Sequence, residues 1–260
     1  MKGLYHYGKG DPGKPTVLCL HGLLGSARNL HRLVEAIAAA GFHVVAFDQR
    51  GHGHSPHAAD YELSSLAADV FELMDELSVD RAHLVGHSMG ARVSLAAAAA
   101  DPARVTSLAM LDSGVNVRLE HLKSLQEIVA PLPDGYASRA EAEAALKHHS
   151  TVFRQFLVTN LRAQPEPPFA LRWIFDLKGI REELLRTIQA DQANAFRALR
   201  CPTLVARGEL SESLLDEDLE ELKRLNPRVQ TAVIPDAGHW VHVDNFTATA
   251  EVVTRFLRST

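Results

Sequence analysis

The chain has 260 residues, of which 46% are hydrophobic and 23% charged, a composition that predicts one large domain or a core domain with an insertion. The net charge of −5 excludes the broad basic surface that nucleic acids and anionic membranes attract. No stretch approaches the ~20 consecutive apolar residues of a membrane span, and the first residues lack the apolar run of a signal peptide, so we expect a cytoplasmic protein without membrane insertion. The two cysteines, Cys19 and Cys201, are expected to be free thiols.

Short apolar runs alternate with amphipathic segments through the first half of the chain. Continuous apolar strands are predicted over 16–20, 43–47, 82–85 and 105–111, as expected of strands buried on both faces of a parallel sheet. Helices are predicted between them, where apolar residues recur at helical spacing. Strand patterns that alternate with helix patterns are typical of an α/β fold with a mostly parallel sheet.

This alternation stops near Gly114 and resumes only with a strand predicted over 202–206. The intervening segment is too long to be a plain loop. Its helical patterns and its proline-rich loop cover the ranges 140–149, 152–161, 182–190 and 164–168. We therefore predict a helical cap over 114–198, inserted into a core domain formed by 1–113 and 199–260.

The sequence Gly86-His87-Ser88-Met89-Gly90 lies between a predicted strand and an alanine-rich helix. A strand, a tight turn and a helix form the setting of a nucleophile elbow, which exposes a serine hydroxyl at the turn. Glycine is expected on both sides because a Cβ there would collide with neighbouring backbone. We predict Ser88 as the nucleophile and the backbone N–H of Met89 as one donor of an oxyanion hole.

A serine nucleophile needs a base, and the base needs a group that holds its tautomer. His239 lies in the loop between the last predicted strand, 229–234, and the final helix, which makes it the predicted base. The second oxyanion donor should come from a loop after an early strand. The backbone N–H of Leu23, in the loop that follows the strand 16–20, fits that place.

Four motifs, taken together, resemble the α/β-hydrolase superfamily. They are His21-Gly22-Leu23-Leu24-Gly25-Ser26, Asp48-Gln49-Arg50-Gly51-His52-Gly53-His54-Ser55, Gly86-His87-Ser88-Met89-Gly90 and Gly238-His239-Trp240. The resemblance covers nearly the whole chain in the family's order. It implies a mostly parallel eight-stranded sheet flanked by helices, a lid after the sixth strand, and ester or related acyl chemistry. It also implies that Arg50 and the 48–55 loop brace the site without being catalytic.

The triad acid is the point where the sequence departs from that family. The usual acid follows the seventh strand of the family's sheet, and Ser211 stands where aspartate is expected. A serine cannot carry the negative charge that stabilises an imidazolium. Asp112 follows the sixth strand and can reach the same histidine, as in a group of small bacterial serine esterases that the chain resembles. We predict Asp112 as the acid, with Glu209 as the alternative.

These residues predict a serine carboxylesterase that hydrolyses oxyesters or thioesters of small or medium acyl groups through an acyl-enzyme. The run Ser88-Met89-Gly90-Ala91-Arg92 also resembles a menaquinone-pathway lyase, so such a lyase, or a carbon–carbon bond hydrolase, stays an alternative. Basic cap residues facing Ser88 would favour it, and Arg154, Arg162 and Arg172 are the candidates. A ligand-binding protein without enzymatic activity is the remaining alternative.

A small-molecule ester is the expected partner, and nucleic acid is not. No cofactor is expected, because Ser-His-Asp chemistry requires none. Three histidines, His52, His54 and His57, crowd one loop without a recognisable zinc spacing, so no metal site is expected either. The physiological substrate and the oligomeric state stay open, with a homodimer as one arrangement.

Overall fold

Ten strands form two sheets in residues 3–164 and 169–260, the part of the chain that the computed structural model describes. The strands are β1 His6–Lys9, β2 Thr16–Leu20, β3 His43–Phe47, β4 Ala82–His87, β5 Val105–Leu111, β6 Gly135–Tyr136, β7 Leu161–Ala163, β8 Leu171–Trp173, β9 Thr203–Gly208 and β10 Gln230–Ile234. The central sheet has the order β1-β3-β2-β4-β5-β9-β10, and the small sheet has the order β6-β8-β7. Every pair in the central sheet is parallel except β1 with β3.

Twelve α-helices accompany these strands within the described ranges. They are α1 His31–Ala39, α2 Leu63–Glu76, α3 Met89–Ala100, α4 Leu119–Val129, α5 Arg139–Ala145, α6 Thr151–Thr159, α7 Leu177–Gly179, α8 Leu185–Thr187, α9 Ala193–Ala198, α10 Asp216–Leu225, α11 Val241–Asp244 and α12 Phe246–Arg258. A 3₁₀ turn precedes α1, and a π-helical turn joins α7 to α8. No helix of residues 3–164 and 169–260 has the length and apolar character needed to cross a bilayer.

Apolar side chains fill both faces of the central sheet. Helices α1 and α12 pack together on one face, and α2 packs against α3 on the other. The predicted α/β fold is therefore confirmed, and strands β4 and β5 are buried at its centre. Ligands of parallel α/β sheets bind at the carboxyl ends of such strands, which is where β4 and β5 lead into Ser88 and Asp112. Cys19 and Cys201 are both free thiols.

Among the described residues, the central sheet has seven strands, one fewer than the eight that the family resemblance implies. Strand β1 pairs directly with β3 at the edge of the sheet. Only residues 3–5 precede β1 in the described part of the chain, and they form no ladder.

The segment between β5 and β9 contains three short strands where the sequence predicted only helices and loops. Strand β8 pairs with both β6 and β7, and all pairs are antiparallel. The helix predicted over 152–161 is α6, but it ends at Thr159, and Leu161 begins β7 instead. Strands of two or three residues are too short to show an alternating pattern, so their pairing depends on contacts distant in sequence. The predicted loop over 164–168 lies outside the described residues except for Gln164.

Contacts between Asp176 and the core hold this segment on the sheet. The backbone N–H of Asp176 donates to the carbonyl of Gly51 at 2.7 Å, and its carboxylate accepts from the hydroxyl of Tyr61 at 2.7 Å. Tyr61 is 1% exposed, so this bond is shielded from water. One buried polar contact therefore joins the predicted cap to the loop that precedes α2.

Tyr61→Phe is expected to destabilise the protein by about 2 kcal/mol, because a hydrogen bond to a charged group contributes roughly 1.5–3 kcal/mol. The midpoint of thermal unfolding should fall by about 4–8 °C for a domain of this size. Tyr5→Phe is the control, since Tyr5 is 43% exposed and its hydroxyl has no partner among the described residues. Equal midpoints for the two variants would contradict the anchoring role of Tyr61.

Arg92 on α3 ties both ends of the same segment to the core. Its guanidinium donates to the carbonyl of Gly114 at 2.9 Å and to the carbonyl of Ala190. Arg92 is 2% exposed, and burial lowers its pKa to about 10. Two points of the segment, one at its beginning and one near its end, are therefore attached to α3, the helix that follows the nucleophile elbow. The predicted division into core and cap at 114 and 198 stays a prediction.

Candidate active site

Ser88 lies at a sharp turn between β4 and α3. Its φ of 53° and ψ of −118° are strained for a residue with a side chain. A Cβ on Gly86 would lie 2.4 Å from the carbonyl oxygen of Gly90, and a Cβ on Gly90 would lie 2.3 Å from the carbonyl oxygen of Leu20. Neither position leaves room for a side chain, which is the steric reason the sequence pattern requires glycine at both.

Three side chains from three loops meet at this edge of the sheet. The Oγ of Ser88 lies 3.0 Å from Nε2 of His239, and Nδ1 of His239 lies 2.8 Å from Oδ2 of Asp112. The carboxylate is fully buried, whereas 26% of the His239 side chain is exposed. A carboxylate in this position keeps the proton on Nδ1 and leaves Nε2 free to accept the serine proton. The structure thus brings together the residues predicted as nucleophile, base and acid.

Two further donors surround the carboxylate of Asp112. Its Oδ1 accepts from the backbone N–H of Gly208 at 2.8 Å, and its Oδ2 accepts from Oγ of Ser211 at 2.5 Å. Ser211 stands at the family's usual acid position, and here it donates to the acid of the neighbouring strand. Asp112 has a φ of 51°, a left-handed conformation that aspartate and asparagine tolerate better than most residues.

The alternative acid, Glu209, points elsewhere. It is exposed, and its carboxylate accepts from the backbone N–H of Asp236 at 3.0 Å. Among the described residues, the acceptor for Nδ1–H of His239 is the carboxylate of Asp112. The geometry therefore favours Asp112 over Glu209 as the partner of the histidine.

Ser211→Ala is expected to lower kcat by about 3- to 10-fold, because Asp112 loses one donor and holds the ring of His239 less firmly. A net contribution of roughly 0.5–1.5 kcal/mol per hydrogen bond gives this range. Steady-state hydrolysis of p-nitrophenyl butyrate measures the effect, and Ser124→Ala on the surface of α4 is the matched control. A kcat equal to that of the control variant would show that Ser211 does not support the acid.

The two predicted oxyanion donors lie beside the nucleophile. Met89 is the first residue of α3, where backbone N–H groups have no intrahelical acceptor. Leu23 lines the same cleft as Ser88 and Met89. The loop comes close to the elbow, since a Cβ on Gly22 would lie 3.3 Å from Cβ of Ser88. Neither N–H donates to another group in the described part of the chain, so both are free to face a substrate oxygen.

Two neutral imidazoles surround His239, and the sequence did not single them out. The ring centroid of His87 lies 4.9 Å from that of His239, and the centroid of His121 lies 5.1 Å from it. Burial lowers the pKa of His121 to about 4 and the pKa of His87 well below its usual range. Both stay uncharged at neutral pH, so an imidazolium at His239 faces the negative Asp112 without a cationic neighbour. In the sequence, the only signal for His87 is that it immediately precedes the nucleophile, and no pattern singles out His121.

Two cavities lie at the elbow, one lined by Ser88 and the other by His87. The triad residues lie in a narrow cleft that is also lined by Val117, Leu125 and Ile188. A larger pocket of about 240 Å³ shares Leu23 with this cleft. Its apolar lining residues are Leu23, Leu30, Val152, Phe156, Trp240 and Val243. The side chains that residues 3–164 and 169–260 contribute include no group of three or more His, Cys, Asp or Glu suited to a metal ion.

The arginines that would favour a lyase do not face Ser88. Among the described residues that line its cleft and the adjoining pocket, Arg154, Arg162 and Arg172 are absent. Arg162 and Arg172 line a different groove, near His54 and His57. The three predicted cap arginines therefore do not line this site, and the arginine that does line the cleft, Arg92, donates to the carbonyls of Gly114 and Ala190.

Comparison with known proteins gives a consistent result along the chain. A family model described as the alpha/beta hydrolase fold matches residues 15–246. The sn-1-specific diacylglycerol lipase ABHD11 of Danio rerio is 31% identical over 247 residues, which are 91% of this chain and 76% of that protein. A solved marine microorganism esterase is 27% identical with a TM-score of 0.86 and covers 97% of this chain and 98% of its own. The solved E-2-(acetamidomethylene)succinate hydrolase is 28% identical with a TM-score of 0.87, at 98% and 95% coverage.

Proposed function

Because the chain belongs to the alpha/beta hydrolase fold family, we propose that Ser88, His239 and Asp112 make it a serine carboxylesterase. The chain is an enzyme of the hydrolase class, as its relatives are. The observation that carries the proposal is the hydrogen-bonded series from Ser88 Oγ through His239 to Asp112, at 3.0 and 2.8 Å. The substrates are oxyesters or thioesters of small or medium acyl groups.

In the first step, Oγ of Ser88 attacks the ester carbonyl carbon while Nε2 of His239 takes the hydroxyl proton. The negative charge moves to the carbonyl oxygen, where the N–H groups of Leu23 and Met89 stabilise it. The N-terminus of α3 adds a favourable partial positive charge at the same point. The tetrahedral intermediate then expels the alcohol or thiol, which receives the proton from His239, and leaves the acyl group on Ser88.

In the second step, water attacks the acyl-enzyme by the same route. His239 takes a proton from the water, the tetrahedral intermediate forms again, and the carboxylic acid leaves as Oγ of Ser88 recovers its proton. Asp112 is fully buried, and it stabilises the imidazolium that appears in both steps without itself taking the proton. The chemistry is complete with these side chains and one water molecule.

The walls around Ser88 support an ester of modest size with an apolar arm. Aliphatic and aromatic side chains line most of the pocket beside the Leu23 loop, as they do in many small-molecule sites. The narrow cleft that contains Ser88 is lined by Val117, Leu125 and Ile188, and its small volume suits a small group. Lipid esters contain the same bond, in keeping with the name of the diacylglycerol lipase relative.

The test is hydrolysis of p-nitrophenyl butyrate combined with labelling by a serine-directed fluorophosphonate. We expect turnover and stoichiometric labelling of the wild type at Ser88, and neither in Ser88→Ala. A wild type that is labelled but hydrolyses no oxyester or thioester contradicts the esterase proposal and directs attention to keto-acid or diketone substrates. A wild type that is not labelled at all would mean that Ser88 is not an activated nucleophile.

A further inference from the structure

His87 is the last residue of β4 and immediately precedes the nucleophile. Its ring is 4% exposed, and Nε2 lies 2.8 Å from the backbone carbonyl oxygen of His239. A carbonyl oxygen only accepts, so Nε2 must carry the proton. The other ring nitrogen, Nδ1, is then an acceptor with a free lone pair.

This free nitrogen lies beside the apolar pocket next to Ser88. Nδ1 is 3.0 Å from the place that a Cβ on Gly22 would take, and both His87 and Gly22 line the pocket. No described residue donates a hydrogen bond to it. His242 packs edge-on against His87, with ring centroids 4.6 Å apart, and is also neutral because burial lowers its pKa to about 4. The pocket, whose lining is mostly apolar but also includes Asn29, Gln155 and Thr159, therefore has at its floor an acceptor without a donor.

We propose that His87 serves the reaction with both nitrogens: Nε2–H positions the base His239, and Nδ1 accepts a hydrogen bond from a hydroxyl group on the ester arm in the adjoining pocket. The inference rests on the proposed esterase function and narrows its substrate class to hydroxylated esters. A purely apolar arm would bury the acceptor without a partner, which is unfavourable, whereas a neutral hydroxyl satisfies it. An ammonium group is a poorer match, since the lining of this pocket includes no Asp or Glu from the described residues.

The positioning role follows from where His239 lies. It is on a loop between β10 and α11, outside the ladder that fixes the strands. The bond from His87 joins the main chain of this loop to the residue before Ser88. It therefore helps to set the 3.0 Å distance between Oγ of Ser88 and Nε2 of His239. Small errors in such a distance lower the rate strongly.

Two substitutions separate the roles of the two nitrogens. His87→Gln places an amide nitrogen near the position of Nε2 and so retains the donor to His239, but it lacks Nδ1. His87→Asn places an amide oxygen near the position of Nδ1 and is too short to reach the carbonyl. His148→Gln, at an exposed cap position, is the control for a histidine replacement, and thermal unfolding verifies that each variant folds.

The positioning role is tested by kcat and by the rate of fluorophosphonate labelling, which does not depend on the arm that fills the pocket. His87→Asn is expected to lower both by about 10-fold, the effect of losing one well-placed hydrogen bond. His87→Gln should recover most of this loss, with KM for p-nitrophenyl butyrate changed less than kcat. A folded His87→Asn variant that labels as fast as the wild type would overturn the positioning role.

The binding role is tested with ω-hydroxyalkyl butyrates of two to six carbons, each compared with the alkyl butyrate that has a methyl group in place of the hydroxyl. The wild type should prefer the hydroxylated ester by about 3- to 10-fold in kcat/KM at one chain length. His87→Asn should keep this preference at a lower rate, and His87→Gln should lose it. Equal rates at every length in the wild type, or a preference that survives in His87→Gln, would overturn the inference. Failure of the esterase proposal looks different, since neither ester series would then be hydrolysed.

Discussion

Asp112→Asn is expected to lower kcat for p-nitrophenyl butyrate by about 10⁴-fold, as loss of a triad carboxylate does. Asparagine has nearly the same volume and tolerates the φ of 51° at this position, so the fold should persist. What disappears is the negative charge 2.8 Å from Nδ1 of His239. An amide that presents its N–H₂ to this nitrogen would also favour the wrong tautomer, with the proton on Nε2 where Ser88 needs an acceptor.

The control for this substitution is Asp80→Asn, an exposed position on the loop before β4. A more demanding test adds Ser211→Asp to Asp112→Asn, which returns a carboxylate to the place where the family usually has it. The double variant should be more active than Asp112→Asn alone, because both positions are within reach of the same histidine. If Asp112→Asn retains wild-type activity, the acid lies past β9, and Glu209 is the next residue to replace.

Strand pairing explains why two positions serve one histidine. Strands β5 and β9 are parallel neighbours, with Leu111 opposite Ala206, so their carboxyl ends lie side by side at one edge. Asp112 follows one strand and Ser211 follows the other, and their side chains are 2.5 Å apart. The carboxylate of Asp112 and the hydroxyl of Ser211 therefore meet at one edge although they follow different strands. The departure of the sequence from the family pattern is a change of strand within an unchanged geometry.

The elbow and the fold were predictable because their causes are local. A turn with Ser88 at φ 53° leaves no room for a Cβ at Gly86 or Gly90. This steric requirement for glycine is visible in the five residues of the elbow itself. Continuous apolar runs likewise indicate strands buried on both faces. The local sequence alone did not identify Asp112 as the acid, since it left two carboxylates, Asp112 and Glu209, as candidates. Its hydrogen bond to His239 joins residues 127 positions apart.

Other features were not predictable because they depend on contacts that no local pattern encodes. The strands β6, β7 and β8 have two or three residues each and exist only as partners of one another. The role inferred for His87 depends on which atom its ring faces across the elbow. Nothing in the run Gly86-His87-Ser88 indicates that Nε2 meets the carbonyl of His239. Sequence patterns do not predict such tertiary hydrogen bonds, although these bonds position the groups of an active site.

Acidification is expected to destabilise the protein steeply below neutral pH, because several histidines are buried in the neutral form. The residues concerned are His21, His52, His83 and His242, none of which is more than 6% exposed. Burial is the main cause that lowers the pKa of His52 to about 3 and the pKa of the other three to about 4. In the unfolded chain the same groups titrate near 6.5.

The sign follows from proton uptake. Between pH 6.5 and about 4 the unfolded chain binds protons at these histidines and the folded chain does not, so acid favours the unfolded state. Stability is complete above pH 6.5 and declines as the pH falls toward the folded-state pKa values. Each histidine contributes about 1.4 kcal/mol per pH unit at full effect. Four together should lower the free energy of unfolding by roughly 7 kcal/mol between pH 7 and pH 5, which is comparable to the whole stability of many domains.

Urea unfolding at pH 7.5, 6.5, 5.5 and 5.0 measures this dependence. His83→Gln removes one of the four groups, a ring on β4 that is hydrogen-bonded to Ser107, and should flatten the slope by about 1.4 kcal/mol per pH unit at full effect. A free energy of unfolding that stays constant from pH 7.5 to 5.0 would show that these rings take up protons in the folded state. The result also decides how an activity profile is interpreted. A decline of kcat at low pH can be assigned to protonation of His239 only at pH values where urea unfolding shows that the chain is folded.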